Sequence, residues 1–409
     1  ILIHRAEVQS ALIVCPAGLL TQWRWELARW APELSALTVS GPPSERARLW
    51  RMQAHIKLIG YETLRTDVLE PQHSPALRET WDVVILDEAS RIKNRRSTIS
   101  IACKRLPRKR RWALTGTPLE NSVDDVESLL EFLTHSPDQP PPADDSRDLK
   151  TQLHSYQLRR RREDVLPQLP PKQIHEVILE LPPAQREAYD QAEQEGVVRL
   201  TESEGSVTVV HVLELISRLK QLCNYDPASG VSGKLADIAE RMRALSEEGQ
   251  RALVFSQFTD DMFGIGRAAQ YLQEFNPLTY TGSLSLRERA AAVERFQTHP
   301  EHTALLLSLR AGRQGLNLQM ASYVFHLDRW WNPAIEEQAD SRAHRMGQTY
   351  PVTIYRYICA RTIEERIDAK LRAKRKIFQE VVDDAGMDLP SVLTESEIFE
   401  LVGLTRGRR

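Results

Sequence analysis

Trp81-Asp82-Val83-Val84-Ile85-Leu86-Asp87-Glu88-Ala89-Ser90 constrains this chain more than any other stretch. Val83 to Leu86 is a continuous apolar run of the kind that forms a strand buried on both faces of a parallel sheet. Parallel strands need crossover connections, so the remaining chain is expected to alternate strands with helices. Two carboxylates follow the run, at the edge where open α/β sheets bind ligands. A first acidic residue there can hold Mg²⁺ through water, and a second can orient and deprotonate an attacking water. That is the Walker B arrangement. Standing alone, an Asp-Glu pair after a strand is more often a turn or a helix start.

A second feature lies far downstream, in Gln338-Ala339-Asp340-Ser341-Arg342-Ala343-His344-Arg345-Met346-Gly347-Gln348. The spacing predicts a helix that Asn332 caps and Pro333 opens, with Glu336 and Glu337 in its positive first turn and Gly347 as the stop. Gln338, Arg342 and Arg345 are separated by four and then three residues, which puts them on one helical stripe. A polar, basic stripe is usually a solvated face. Together with the acidic pair it reads as the cationic half of a nucleotide site.

Taken together, these residues resemble the Swi/Snf family of ATP-driven DNA translocases in the second helicase superfamily. The resemblance runs through nearly the whole chain in the family's order. Ala11 to Pro16 with Gln22-Trp23 resembles motif Ia, Asp87 to Ser90 motif II, and Leu114 to Asn121 motif III. Leu253 to Phe258 resembles motif IV, Leu307 to Gly312 with Gly315 to Leu318 motif V, and Gln338 to Gln348 motif VI. Trp330-Trp331-Asn332-Pro333 and Thr362 to Ile367 are also in place. Bacterial RapA-like enzymes are the nearest in kind.

The resemblance implies an α/β fold of two RecA-like lobes joined by a mostly helical connector, with ATP and Mg²⁺ as cofactors. Asp87 would hold Mg²⁺, Glu88 would act on the attacking water, and Gln338 and Gly315 would belong to the nucleotide site. Arg342 and Arg345 would stabilise the charge of the transferring phosphoryl group, so that hydrolysis depends on lobe closure. Thr115, Gly116 and Thr117 would relay that closure. Duplex DNA would be met through its phosphates by the helix N-terminus at Pro16 to Thr21, by Arg310 and Asn317, and by the Lys104 to Arg111 cluster. RNA polymerase or another DNA-bound protein is the implied object of the motion, in a cytoplasmic, nucleoid-associated setting. A strand-separating helicase and a silent DNA-binding scaffold are the alternatives. Ser90 stands where the family often carries His or Gln, and Arg313 and Gln314 where it carries small residues, which leaves the strength of coupling open.

The family's phosphate-binding loop should precede Ala11, yet no Gly-Lys-Ser/Thr occurs in the 409 residues. Gly233-Lys234-Leu235 is the only Gly-Lys pair, in the wrong lobe and without a hydroxyl residue next. Ile1 to Ile3 read as the tail of the helix that follows such a loop. The chain is therefore expected to be cut just after its Walker A motif and to be inactive by itself, because nothing replaces the nest of amides and the lysine that cradle phosphates.

Composition agrees with a globular, multi-lobed protein: 41% hydrophobic and 27% charged residues. A formal net charge of −2 requires any nucleic-acid footprint to be local. Cys15, Cys103, Cys223 and Cys359 lack paired spacing, which suggests neither a zinc site nor a disulfide framework. No apolar run approaches the roughly 20 residues that span a bilayer.

Strands are expected at Ala11 to Cys15, Ile56 to Gly60, Val83 to Leu86 and Trp112 to Thr115 in a first lobe over residues 1–157, with a helix at Leu19 to Trp30. Thr134 to Arg147 has the composition of a linker. Residues 158–230 read as connector, with a basic run at Arg159 to Arg162 and helices at Pro183 to Thr201 and Val207 to Asn224. A second lobe over residues 231–383 begins near Ser232. Its strands are expected at Ala252 to Phe255, Leu278 to Tyr280, Ala304 to Leu309, Tyr323 to Leu327 and Val352 to Ile358. Helices at Asp260 to Gln273, Ser285 to Gln297 and Pro333 to Arg345 lie between them. Thr362 to Asp383 forms one amphipathic helix before a tail over residues 384–409. The tryptophans at 23, 25, 30, 330 and 331 read as core and not as base-stacking residues.

Overall fold

A computed structural model describes residues 8–70, 75–115, 123–134, 156, 158, 168–202, 207–309, 316–331, 333–382 and 393–404. The chain divides into two compact units near residue 160. The first holds a five-stranded sheet of β1 (Ala11–Cys15), β2 (Ala36–Val39), β3 (Ile56–Gly60), β4 (Trp81–Asp87) and β5 (Arg108–Leu114), in the order β2-β3-β1-β4-β5. Every pairing is parallel. Its helices are α1 (Leu20–Trp30), α2 (Pro43–Arg51), α3 (Tyr61–Leu69), α4 (Thr98–Lys104) and α5 (Val123–Thr134).

All five residues of β1 are buried, and successive ones face opposite cores. Leu12 and Val14 join Trp50, Leu64 and Leu86, whereas Ala11 and Ile13 join Leu58, Val83 and the partly buried Trp23 and Leu27. This explains why the strand reads as an unbroken apolar run. Asp82 pins the entry to β1 by accepting from Gln9 N–H at 2.7 Å and Ser10 N–H at 3.1 Å.

The second unit holds a six-stranded, all-parallel sheet, β6-β11-β10-β7-β9-β8. Its strands are β6 (Lys172–Leu179), β7 (Ala252–Ser256), β8 (Leu278–Tyr280), β9 (Ala304–Ser308), β10 (Tyr323–His326) and β11 (Val352–Cys359). The helices are α6 (Pro183–Glu202), α7 (Val209–Asn224), α8 (Gly233–Glu247), α9 (Ile265–Tyr271), α10 (Leu286–Thr298), α11 (Pro333–Ala343), α12 (Ile363–Val382) and α13 (Glu395–Leu401). Two parallel α/β units are thus present, as expected.

Three differences from expectation have physical causes. The second sheet begins at Lys172, inside the stretch read as connector, because β6 pairs along the full length of β11. β5 starts at Arg108 and not at Trp112: as an edge strand paired only to β4, it carries a basic run without burying all of it. Trp25 and Trp30 are not core but 58% and 72% exposed on α1, with the Arg29 guanidinium over both rings.

The helical layer of the second unit packs α6 and α7 with α12 and α13 around Tyr189, Leu215, Leu219 and Ile363. Gly196, in the middle of α6, permits that contact. A Cβ there would lie 2.2 Å from Leu215 Cδ1.

Candidate functional site

Asp87 ends β4, an interior strand, and Glu88 follows with left-handed backbone angles, φ 53° and ψ 51°. That conformation is costly for a residue with a side chain and is typical of constrained sites. It also turns the chain abruptly from the sheet edge into a short 3₁₀ turn, Ala89–Ile92. The Trp23 indole N–H donates to Asp87 Oδ2 at 2.8 Å, and the Glu88 backbone N–H donates to Asp87 Oδ1 at 3.0 Å. The Tyr61 hydroxyl donates to the Asp87 carbonyl at 2.8 Å, tying α3 to the same strand end. Burial, and then Asp87, push the neighbouring Cys15 thiol up to about 12, and burial raises the Tyr61 phenol well above its ordinary value. Both groups therefore stay neutral near pH 7, and Cys15 is no nucleophile.

Each Asp87 oxygen accepts one protein N–H and retains lone-pair capacity for a metal-bound water, so the donor set fits a hard cation such as Mg²⁺. On the same strand edge, Pro16 precedes a 3₁₀ turn, Ala17–Leu19, that runs into α1, and no side chain caps either start. Thr21 is exposed in the first turn of α1. The helix start read for Pro16 to Thr21 is therefore formed.

In the second unit, α11 begins at Pro333 as expected but ends at Ala343, so Arg345 lies in the turn beyond it and the three-residue stripe is not formed. The Gln348 amide ends the helix by donating to the Ala343 carbonyl at 3.2 Å and to the Ala321 carbonyl at 2.9 Å. Leu318 N–H donates to the Arg342 carbonyl at 3.1 Å, and the His344 ring donates to the Pro170 carbonyl at 2.8 Å. The Gln348 and Leu318 bonds satisfy the Ala343 and Arg342 carbonyls without another turn, and the His344 bond ties the helix end to Pro170. Gly347 is then not the helix stop; its φ of +98° serves the following bend, where a Cβ would meet the Gln319 side chain at 2.8 Å. Gln338 is half-buried and Arg342 is buried.

Glu336 is wholly buried, accepting from Arg329 Nε at 3.1 Å and Trp330 N–H at 2.8 Å. Asp340 accepts from His326 Nε2 at 2.6 Å and Arg356 at 3.0 Å, and Arg329 reaches Asp368 of α12 at 2.9 Å. α11 is thereby held to β10, β11 and α12 by charge-assisted bonds. Spacing showed Glu336 only as a favourable first-turn residue and missed this network.

Asn317 is exposed, with its carbonyl accepting from the Gln297 amide at 2.9 Å. Thr115 follows β5 directly. Gly116, Thr117, Arg310, Gly315 and the Asn332 cap lie outside the described residues. Much of the Lys104 to Arg111 cluster is structural. Lys104 donates to Ser128 and Glu131, and buried Arg108 donates to the Lys104, Leu106 and Phe132 carbonyls. Lys109 pairs with Asp82 at 2.7 Å.

Lys234 of the lone Gly-Lys pair has a structural role as well. It donates to Glu364 at 2.6 Å, the Leu327 carbonyl at 2.8 Å and Asn224 Oδ1 at 3.2 Å. Cys223, Cys359 and Glu364 bring three potential ligand atoms within 4.8 Å of one another. Glu364 is already committed to Lys234 and to Cys359 N–H, and burial holds the Cys223 thiol well above its ordinary value. The buried ammonium of Lys234 beside these groups makes this a core cluster.

A profile of the SNF2-related domain matches residues 2–228, and one of the helicase conserved C-terminal domain matches residues 233–347. The chain belongs to the SNF2-related family. It is 30% identical over 96% of its length to the Mycoplasma genitalium protein named uncharacterized ATP-dependent helicase MG018, of which it covers 39%. It is 32% identical, over 96% of its length, to YwqA of Bacillus subtilis, named as a candidate ATP-dependent helicase/translocase, of which it covers 45%. The chain thus spans about two fifths of the length of these curated relatives. The solved Sulfolobus solfataricus SWI2/SNF2 ATPase core in complex with dsDNA is 27% identical, with a TM-score of 0.45 over 99% of this chain and 88% of that one. Among the described residues, no helix is long and apolar enough to cross a membrane.

Proposed function

We propose that this chain is the motor core of an ATP-dependent translocase on double-stranded DNA that displaces or remodels proteins bound there, RNA polymerase among them. The observation that carries this reading is the Asp87-Glu88 pair at the carboxyl end of β4, with Asp87 oriented by Trp23 of the neighbouring helix. When bound, Mg²⁺ with ATP supplies an electrophilic γ-phosphoryl group. Asp87 would hold the metal, and Glu88 would orient the attacking water and take its proton. Arg342 and Arg345 supply positive charge as charge develops on the phosphoryl oxygens. Gln338, with Gly315, contacts the nucleotide. α1 presents its N-terminal amides and Thr21 to a DNA phosphate, and Arg310 and Asn317 add contacts that carry no sequence preference. Thr115, Gly116 and Thr117 link the two activities.

The 409 residues contain no Gly-Lys-Ser/Thr. We infer that the chain alone turns over no ATP and that turnover requires a phosphate-binding loop supplied ahead of β1. ATP hydrolysis measured with and without duplex DNA, on the chain alone and with such a loop joined to it, tests this. The extended protein is expected to show DNA-stimulated turnover and to displace a triplex strand without separating a duplex. Glu88→Gln should abolish turnover. Arg342→Ala and Arg345→Ala should each lower it by about a hundredfold or more while ATP binding persists. Turnover by the chain alone that depends on Glu88 refutes the loop requirement, and near-normal turnover in both arginine variants refutes their role.

A further inference from the structure

Asp87 is reached by one side chain from α1, and the geometry of that contact carries a consequence beyond the roles assigned above. Trp23 sits in the first turn of α1, the helix whose start is proposed above to meet a DNA phosphate. Its indole N–H meets Asp87 Oδ2 at 2.8 Å across 64 residues of chain. The indole ring is fixed in turn, because it packs against the core formed by Ile13, Leu58 and Val83. Asp87 Oδ1 is taken by the Glu88 N–H at 3.0 Å, so both carboxylate oxygens are oriented by the protein itself. A carboxylate held this way meets a cation without first losing rotamer freedom.

We propose that Trp23 is a positioning residue for Asp87, joining the helix proposed to meet DNA to the carboxylate proposed to hold the cation. This rests on the reading of Asp87 given under the proposed function. Any movement of α1 on meeting a phosphate would reach Asp87 through the indole bond. Sequence alone shows Trp23 as one of several tryptophans at helical spacing and as part of the motif Ia resemblance, without its carboxylate partner.

The test uses the chain as it is, with Mn²⁺ as the probe and no turnover required. Indole N–H resonances are recorded by ¹⁵N NMR, with Trp23 assigned from its loss in Trp23→Phe. Trp50, which donates to buried Asp67 at 2.7 Å, is the internal reference for an intact fold. Asp87→Asn is expected to move the Trp23 resonance and leave that of Trp50 in place. Short duplex DNA is expected to move the Trp23 resonance as well. Mn²⁺ binding, followed by the electron paramagnetic resonance of the free ion, should show a site that Asp87→Asn removes and that Trp23→Phe weakens by about tenfold. An Asp87-dependent site with an unchanged midpoint in Trp23→Phe overturns the positioning role and leaves Asp87 as the cation ligand. Manganese binding that ignores Asp87→Asn overturns the reading of Asp87 itself, and the inference with it. A Trp23 resonance that ignores Asp87→Asn shows that the bond is absent in solution.

Discussion

Lys234 donates to Glu364 at 2.6 Å, with both side chains out of reach of water. Burial is the largest single effect and pushes the ammonium pKa down, but the charge and hydrogen bond of Glu364, together with the neighbouring Cys359 and Cys223, hold Lys234 above the ordinary lysine value. Removing one partner leaves the other charge buried without compensation, which typically costs about 3–5 kcal/mol. Glu364→Leu is therefore expected to lower stability by about that amount in urea denaturation. Adding Lys234→Met to it should recover part of the loss, so the two substitutions should be strongly non-additive.

Asp82 contributes to the acid limb of stability in the first unit. Its bond from Lys109, and then those from Gln9 and Ser10, lower its carboxyl pKa from 3.8 to about 2. A depressed folded value means the stabilisation is complete above the unfolded value and is lost as pH falls through the folded one. Urea midpoints measured from pH 6 down to pH 2 should fall most steeply below about pH 4. Asp82→Asn should be less stable at neutral pH and should flatten that fall.

Gly264 closes the loop after β7. A Cβ there would lie 2.4 Å from Phe258 C, 2.5 Å from its O and 2.6 Å from Thr259 N, all backbone atoms that cannot swing aside. Gly264→Ala should cost at least about 1–3 kcal/mol in chemical denaturation. Gly282→Ala, with nothing within 4 Å of its Cβ, should leave the midpoint almost unchanged.

Glu336 bridges Arg329 and the Trp330 amide. In Glu336→Ala, Arg329 keeps Asp368 and Arg356 keeps Asp340. The expected loss is therefore about 1–3 kcal/mol, less than for an isolated buried pair. It should be visible as a lower thermal midpoint with α11 still helical.

Strands buried on both faces were legible because burial writes itself as an apolar run. β1 and β3 begin and end where their residues predict. β6 was not legible, since this edge strand stays largely exposed and Lys172-Gln173-Ile174-His175-Glu176 reads as polar chain. The acidic pair and the cationic motif could be found from sequence, but the end of α11 could not. It depends on Gln348 folding back onto Ala343 and Ala321, a contact that spacing does not encode. The partners of Trp23 and Lys234 were not legible for a related reason. These partners, Asp87 and Glu364, are distant in sequence, and a tryptophan or a Gly-Lys pair carries no mark of which carboxylate it will meet.

β6 also sets an order of events during synthesis. Among the described residues its strand partner is β11, the last strand of that sheet to leave the ribosome. At about 5–20 residues per second, roughly ten to forty seconds separate the two. For that interval Lys172 to Leu179 is a nascent segment with its amides and carbonyls unmatched. Its run of Lys172, His175 and Glu176 keeps it wettable while it waits, so the polar character that hid the strand is what protects the newborn chain from sticking to its neighbours.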